Sequence, residues 1–298
     1  MFAAVLIGVV ALNVWADFID RKSAADSDIS ALSLWTTIVQ FLLVVPLLGL
    51  VELMPLNVTL WCAGVAAVSV LARAAWYHAL SAKREQLSRL APFTRLSSVM
   101  TLAMAFAVLG EPFTFTTGVG ACVIVIGALM MSFRGATASF GDYLRENSAL
   151  VLVAAFALSS AFINILYKFS LNVGVSIVTI YFFLKLFQFG FAALTALAER
   201  RLFSSYSAIS ELPEFVQARV IQTVAALAYL FALQNLPMSV VVPITAAAGP
   251  ILYILIEQLN RGGRGQDDAR RSRMRIIDFV GVAAIVAGGI LLAGGQSE

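Results

Sequence analysis

Three cationic side chains lie deep within apolar segments of the sequence, at Arg73, Arg95 and Lys185. Arg73 and Arg95 each lie eleven residues from Arg84, on opposite sides of it along the chain. Because a helix rises about 1.5 Å per residue, a hairpin that turns near Arg84 brings both arginines to a similar depth. A guanidinium presents a fork of N–H donors that fits a carboxylate or a phosphate. The spacing therefore predicts a water-filled, electropositive cavity that binds an anion.

The composition around these cations is that of a membrane protein. Of the 298 residues, 60% are hydrophobic and only 12% are charged, and the net charge is +3. An ordinary soluble domain carries roughly 25% charged residues, so lipid must cover part of this chain. The basic residues are not patterned for nucleic acid, and we expect no such partner. Cys62 and Cys122 lie in apolar runs and predict neither a disulfide framework nor a metal site, and we expect no cofactor.

Ten segments are apolar enough to span a bilayer, which takes roughly 20 residues as a helix. Short turns that contain glycine, proline or charged residues separate most of them. We interpret the first as a retained helix, because no basic region precedes it as in a signal peptide. The predicted class is an all-α polytopic membrane protein with ten transmembrane helices. The spans are 1–19, 30–52, 58–81, 87–109, 113–133, 148–170, 175–198, 215–235, 239–259 and 276–294.

The loops give an orientation. We call the face at which the chain begins side A and the opposite face side B. Fourteen Lys and Arg residues fall in the loops on side B, whereas the loops on side A carry acids such as Glu52 and Glu111. Cytoplasmic loops collect Lys and Arg. We therefore expect side B to be cytoplasmic and both termini to lie outside, in a cell membrane such as the bacterial inner membrane.

The two halves of the chain resemble each other. The segments GACVIVIGALMMS and GVAAIVAGGILLAG both pair two glycines seven residues apart, and Asn13 in the first helix corresponds to Asn164 in the sixth. The halves, 1–145 and 146–298, hold five helices each. Because five is odd, the second half enters the membrane from the opposite face. Inverted repeats of this kind are typical of secondary transporters.

The segments ALSAKREQLSRLAP and AFAVLGEPFTFTTGVGACVIVIGALMMS resemble the EamA-like repeat of the drug/metabolite transporter superfamily. The LGEP turn at 109–112 is the most specific part of a resemblance that covers nearly the whole chain as two units. The second unit departs from it, because Glu257 lies too early to match Glu111. The resemblance implies export or exchange of small metabolites by alternating access. It implies no shared catalytic residue and names no substrate.

Polar residues within the spans define the candidate site. Tyr77 follows Arg73 and Ser69 at a spacing of four and so shares their face of the third helix. For each deep cation, a structural role against backbone carbonyls or an aromatic ring is the alternative to substrate binding. For substrate binding we predict Arg73, Arg95, Lys185, Tyr77, Asn13 and Asn164. For gating or coupling we predict Asp17, Lys168, Glu257 and His78.

These observations predict a secondary transporter, not an enzyme, that moves a small anionic or amino-acid-like metabolite through the lipid bilayer as a monomer or homodimer. The chain has no GxxxxGK[ST] loop for a nucleotide. With no deep acid assigned, exchange or facilitated export is favoured over proton coupling. An intramembrane enzyme acting on lipid phosphates is the first alternative, although a single histidine and scattered acids supply few catalytic groups. A non-transporting membrane scaffold is the second.

Overall fold

A computed structural model describes most of the chain as a bundle of helices. The described residues are 2–26, 29–82, 96–110, 115–132, 148–198 and 212–238, with isolated positions between 241 and 287. Within them the chain forms eight α-helices and no strand. The helices are α1 (Phe2–Asp26), α2 (Ile29–Val44), α3 (Leu56–Ala82), α4 (Leu96–Met104), α5 (Phe115–Ser132), α6 (Ser148–Asn172), α7 (Ile177–Ala198) and α8 (Leu212–Asn235).

The eight helices lie at the first eight predicted spans, which confirms the all-helical class. The predicted spans 239–259 and 276–294 lie outside the described residues except for isolated helical positions, and so does the beginning of the fourth span. Five stretches of the described chain are long and apolar enough to cross a membrane. They are Ala31–Leu50, Leu56–Tyr77, Val151–Asn172, Ile177–Leu197 and Pro213–Asn235.

Two helices change their winding before they end. After Val44, α2 tightens into a 3₁₀ segment over Val45–Leu50, where Pro46 lacks an amide hydrogen and cannot continue the α-helical ladder. In contrast, α4 widens into a π-turn over Ala105–Leu109 and stops at Gly110, whose φ is 67°. A positive φ at this position suits a glycine, because it has no Cβ. The LGEP segment singled out in the sequence therefore begins at a helix end.

The helices of the two halves of the chain pack mainly against each other. The most extensive interfaces join α3 to α6 and α1 to α8, and α7 packs against both α2 and α3. The core between them contains fully buried apolar side chains such as Cys62, Leu166 and Leu230. Large apolar side chains on the outer faces are exposed, as at Leu71 on α3 and Leu194 on α7. This distribution suits helices whose outer faces contact lipid.

Helix α6 ends in a Schellman motif that requires glycine. The amide of Val175 donates to the carbonyl of Ser170 (3.0 Å), and the amide of Gly174 donates to the carbonyl of Leu171 (3.0 Å). Gly174 has a φ of 87°, in the left-handed region that an L side chain occupies at a cost of roughly 1–2 kcal/mol. The motif starts the turn that leads into α7, the helix that carries Lys185.

We expect Gly174→Ala to lower the free energy of unfolding by about 1 kcal/mol, because a Cβ there has free space but a strained backbone. The measurement is the thermal unfolding midpoint of the purified protein in detergent. Gly64→Ala in α3 is the matched control, since a Cβ there also meets nothing within 4 Å and the backbone is helical. Equal midpoints for the two variants contradict the prediction.

Candidate functional site

Lys185 lies on α7 among neutral partners. Its side chain is buried, and its Nζ donates to Oε1 of Gln40 on α2 (2.9 Å) and to Oε1 of Gln188 on its own helix (3.1 Å). The Tyr181 ring centroid lies 5.1 Å from Nζ, within the range of a cation–π contact. Among the described residues, no carboxylate forms an ion pair with Lys185. Its surroundings are therefore polar but uncharged on these sides.

Arg73 lies near Lys185 on the neighbouring helix α3. Its Nη1 is buried, and no described residue accepts a hydrogen bond from it. The phenol groups of Tyr77, Tyr167 and Tyr181 lie within electrostatic reach of the guanidinium, as does the Lys185 ammonium. Buried donors in proteins nearly always have an acceptor. The two predicted cations are therefore brought together in a place where the described protein offers them no counter-charge.

A chain of side-chain amides leads from Lys185 towards side B. Nε2 of Gln40 donates to Oε1 of Gln222 on α8 (3.1 Å), and Nε2 of Gln222 donates to Oδ2 of Asp20 on α1 (3.2 Å). On the other flank, Nε2 of Gln188 donates to Oγ of Ser69 on α3 (2.7 Å). These side chains connect α1, α2, α3, α7 and α8. We call the set they form with Lys185 the polar layer.

A buried ion pair closes the side-B end of this layer. The carboxylate of Asp20 on α1 contacts the guanidinium of Arg219 on α8, and their side chains are 3% and 1% exposed. Nη1 of Arg219 also donates to the hydroxyl of Tyr77 (3.1 Å), which is hydrogen-bonded to Oγ1 of Thr36 on α2 (2.8 Å). Charges removed from water need a partner and further hydrogen bonds. This pair has both.

Neither member of this ion pair is among the residues predicted from the sequence. The predicted first helix ends at residue 19, whereas α1 continues to Asp26 and buries Asp20. The sequence predicts no acid in the middle of a helix, and Asp20, which lies towards the end of α1, was not assigned to the interior. A signal for its partner was present, since Arg219 lies four residues inside the predicted apolar span 215–235 and an arginine there requires a partner.

The predicted asparagines do not share this layer. Nδ2 of Asn164 on α6 donates to Oγ1 of Thr101 on α4 (3.2 Å), which joins these two helices. Asn13 is an exposed side chain of α1. The predicted residue Tyr77, in contrast, lies inside the layer beside Arg219.

The predicted gating residues lie at different ends of the bundle. Asp17 lies within electrostatic reach of Arg219, near side B. At the other end, Nζ of Lys168 donates to the main-chain carbonyls of Leu233 (3.0 Å) and Leu236 (3.1 Å), where α8 ends. The last carbonyls of a helix lack intrahelical partners, and a cation there is favourable. The predicted residues Arg95 and Glu257 and the side chain of His78 lie outside the described residues.

We expect Asp20→Asn to lower the free energy of unfolding by about 3–5 kcal/mol, because it removes the carboxylate charge that contacts a buried guanidinium. The measurement is thermal unfolding in detergent of wild type, Asp20→Asn, Arg219→Gln and the double variant, which together form a double-mutant cycle. The double variant should lose much less than the sum of the single losses. Val220→Ala, beside Arg219 and exposed, is the control. Additive losses in the cycle contradict an energetic coupling between the two residues.

Comparisons with known proteins agree with this architecture. A solved structure described only as "Crystal structure of protein" superposes with a TM-score of 0.64 over 97% of this chain and 95% of its own, at 16% sequence identity. At that identity the likeness shows the fold alone. No curated protein matches the sequence significantly. Residues 2–133 match the profile of the EamA-like transporter family. The apolar helices indicate a multi-pass membrane protein, and residues 2–133, less than half of the chain, are similar to the EamA-like transporter family.

Proposed function

We propose that the protein is a secondary active transporter that moves a small anionic or amino-acid-like metabolite across the cytoplasmic membrane by alternating access, for export or exchange. The observation that carries this proposal is the buried Nη1 of Arg73, for which no described residue supplies an acceptor. Lys185 lies within electrostatic reach of it. A substrate carboxylate offers oxygens to the arginine fork and a negative charge to both cations.

The surroundings of Arg73 also favour a solute with a carbon skeleton. Tyr167 and Tyr181 belong to the buried apolar core and lie near the guanidinium. Sites for small metabolites combine apolar and aromatic walls with a few placed polar groups. An organic anion fits this arrangement, with its charged end at Arg73 and its carbon chain against the tyrosine rings.

The packing of the helices supports two inverted units, 1–145 and 146–298. If α1, α2 and α3 correspond to α6, α7 and α8, then exchanging the halves converts the α1–α8 interface into the α6–α3 interface. The same exchange leaves the α2–α7 interface in place. These three interfaces are all present. Such an exchange is expected of five-helix repeats related by an axis in the membrane plane, the arrangement that allows alternating access.

The polar layer supports a gate between the units. Asp20 lies in the first unit and Arg219 in the second, and Gln40 and Gln222 form a second link between the units. Opening the site to side B requires these contacts to separate. Because the loop cations assign side B to the cytoplasm, we place this gate on the cytoplasmic side, with both termini outside.

We expect Arg73→Gln to weaken the binding of an anionic substrate about ten- to a hundredfold, the effect of losing a hydrogen bond to a charged group. The test is counterflow of radiolabelled glutamate, succinate and inorganic phosphate in liposomes that contain the full-length protein. Arg73→Lys retains the charge but not the fork, so it should fall between wild type and Arg73→Gln. Leu71→Ala, on the exposed face of α3, controls for folding and insertion.

Two results would contradict the proposal. If wild-type liposomes show no counterflow of any of the three probes, the protein is not a transporter of small anions, and conversion of phospholipids in the same vesicles would favour an enzyme instead. If Arg73→Gln transports these probes as wild type does, the anion preference does not depend on Arg73.

A further inference from the structure

The side chains around Lys185 supply acceptors for two N–H groups. Oε1 of Gln40 and Oε1 of Gln188 each accept from Nζ, at 2.9 Å and 3.1 Å. A neutral amine has two N–H donors, whereas an ammonium has three. The two amide oxygens therefore satisfy the amine, and the ammonium still needs one acceptor. The Tyr181 ring, 5.1 Å away, favours a positive charge but offers no oxygen along that face.

The orientation of the Gln40 amide is fixed from the far end of the amide chain. The Asp20 carboxylate can only accept, so Gln222 must turn its NH₂ group towards it. The Gln222 carbonyl then accepts from the NH₂ group of Gln40, and the Gln40 carbonyl faces Lys185. The protein is thus arranged to present an oxygen to Lys185 whether or not Lys185 carries its third proton.

The charged and titratable groups that face Lys185 are few among the described residues. Its own helix α7 presents Tyr181, and α3 presents Arg73, a second cation. From α6, Tyr167 faces Arg73. The helices α2 and α8 present the glutamine amides. On α1, Asp20 is paired with Arg219, and Asp17 lies within electrostatic reach of Arg219 and Tyr77. Two like charges therefore share the site, and a bound anion makes them compatible.

We propose that Lys185 is the residue that couples transport to the proton, an inference that rests on the proposed transport function. With the site open to one side, the amine takes a proton from water, and its third N–H donates to an oxygen of the anionic substrate. After the site opens to the other side, the substrate leaves and Lys185 returns the proton to water there. One proton moves with each anion, and the empty site returns with a neutral amine.

Proton coupling through Lys185 differs from the mode of transport that the sequence predicts. Exchange or facilitated export was favoured there because proton coupling was associated with a deep carboxylate. A lysine serves equally, since it can lose its proton in a protein, whereas an arginine cannot. Exchange of one anion for another remains possible, because it needs only the protonated form. Accumulation against a gradient needs the return of the neutral form.

The test uses Lys185→Arg in liposomes with the full-length protein, with glutamate and succinate as probes because both are ionised at neutral pH. Wild type should show counterflow without a pH gradient and accumulation when the outside is acid, and a protonophore should abolish the accumulation. Lys185→Arg changes a residue of the binding site and keeps a charge that cannot be released, so we expect reduced counterflow together with a complete loss of accumulation. Leu194→Ala, exposed on the same helix, should retain both activities.

A second measurement on the wild type does not depend on the variant being folded. With a pH-sensitive dye inside the liposomes, inward movement of the probe should acidify the lumen. The inference is overturned if the lumen stays at constant pH during uptake, or if Lys185→Arg accumulates the probe as wild type does. Absence of counterflow in the wild type, in contrast, overturns the proposed function itself.

Discussion

The buried carboxylate of Asp20 determines how the side-chain amides inside the bundle are oriented. It accepts from Gln222 and pairs with Arg219, and because it has no proton to give, each amide further along the chain can point in only one direction. That direction ends with the carbonyl of Gln40 facing Lys185. Four helices contribute to this chain, and α3 joins it through the contact of Ser69 with Gln188, so the packing of the bundle and the chemistry of Lys185 depend on the same contacts.

Burial explains why these contacts constrain the fold so strongly. In lipid, helices gain little from removing apolar surface from water, and packing together with interhelical hydrogen bonds holds them in register. An unpaired polar group at this depth costs far more than at a soluble surface. The arrangement that pairs Arg219 with Asp20 and Tyr77 is therefore favoured energetically over arrangements in which α1 and α8 are shifted along each other.

Much of this architecture follows from the sequence, because the length of an apolar segment and the depth of a charge within it can be read from that segment alone. On that basis the sequence predicts the first eight spans and places Arg73 and Lys185 deep within apolar segments. Contacts between helices are different. Gln40 and Gln222 are separated by 182 positions, and nothing in either local segment indicates the other. The end of α1 was placed too early because polar residues after position 19 continue the helix beyond its apolar part.

The ion pair also makes the two ends of the molecule chemically unequal. Under the correspondence that relates Asn13 to Asn164, the counterparts of Asp20 and Arg219 are Leu171 and Val68, which are both apolar. Separating α1 from α8 at the Asp20 end would part opposite charges, whereas the two counterpart side chains on α6 and α3 are hydrocarbon. Because breaking a buried ion pair is costly, the Asp20 end of the bundle carries a link between α1 and α8 that these two counterpart positions lack.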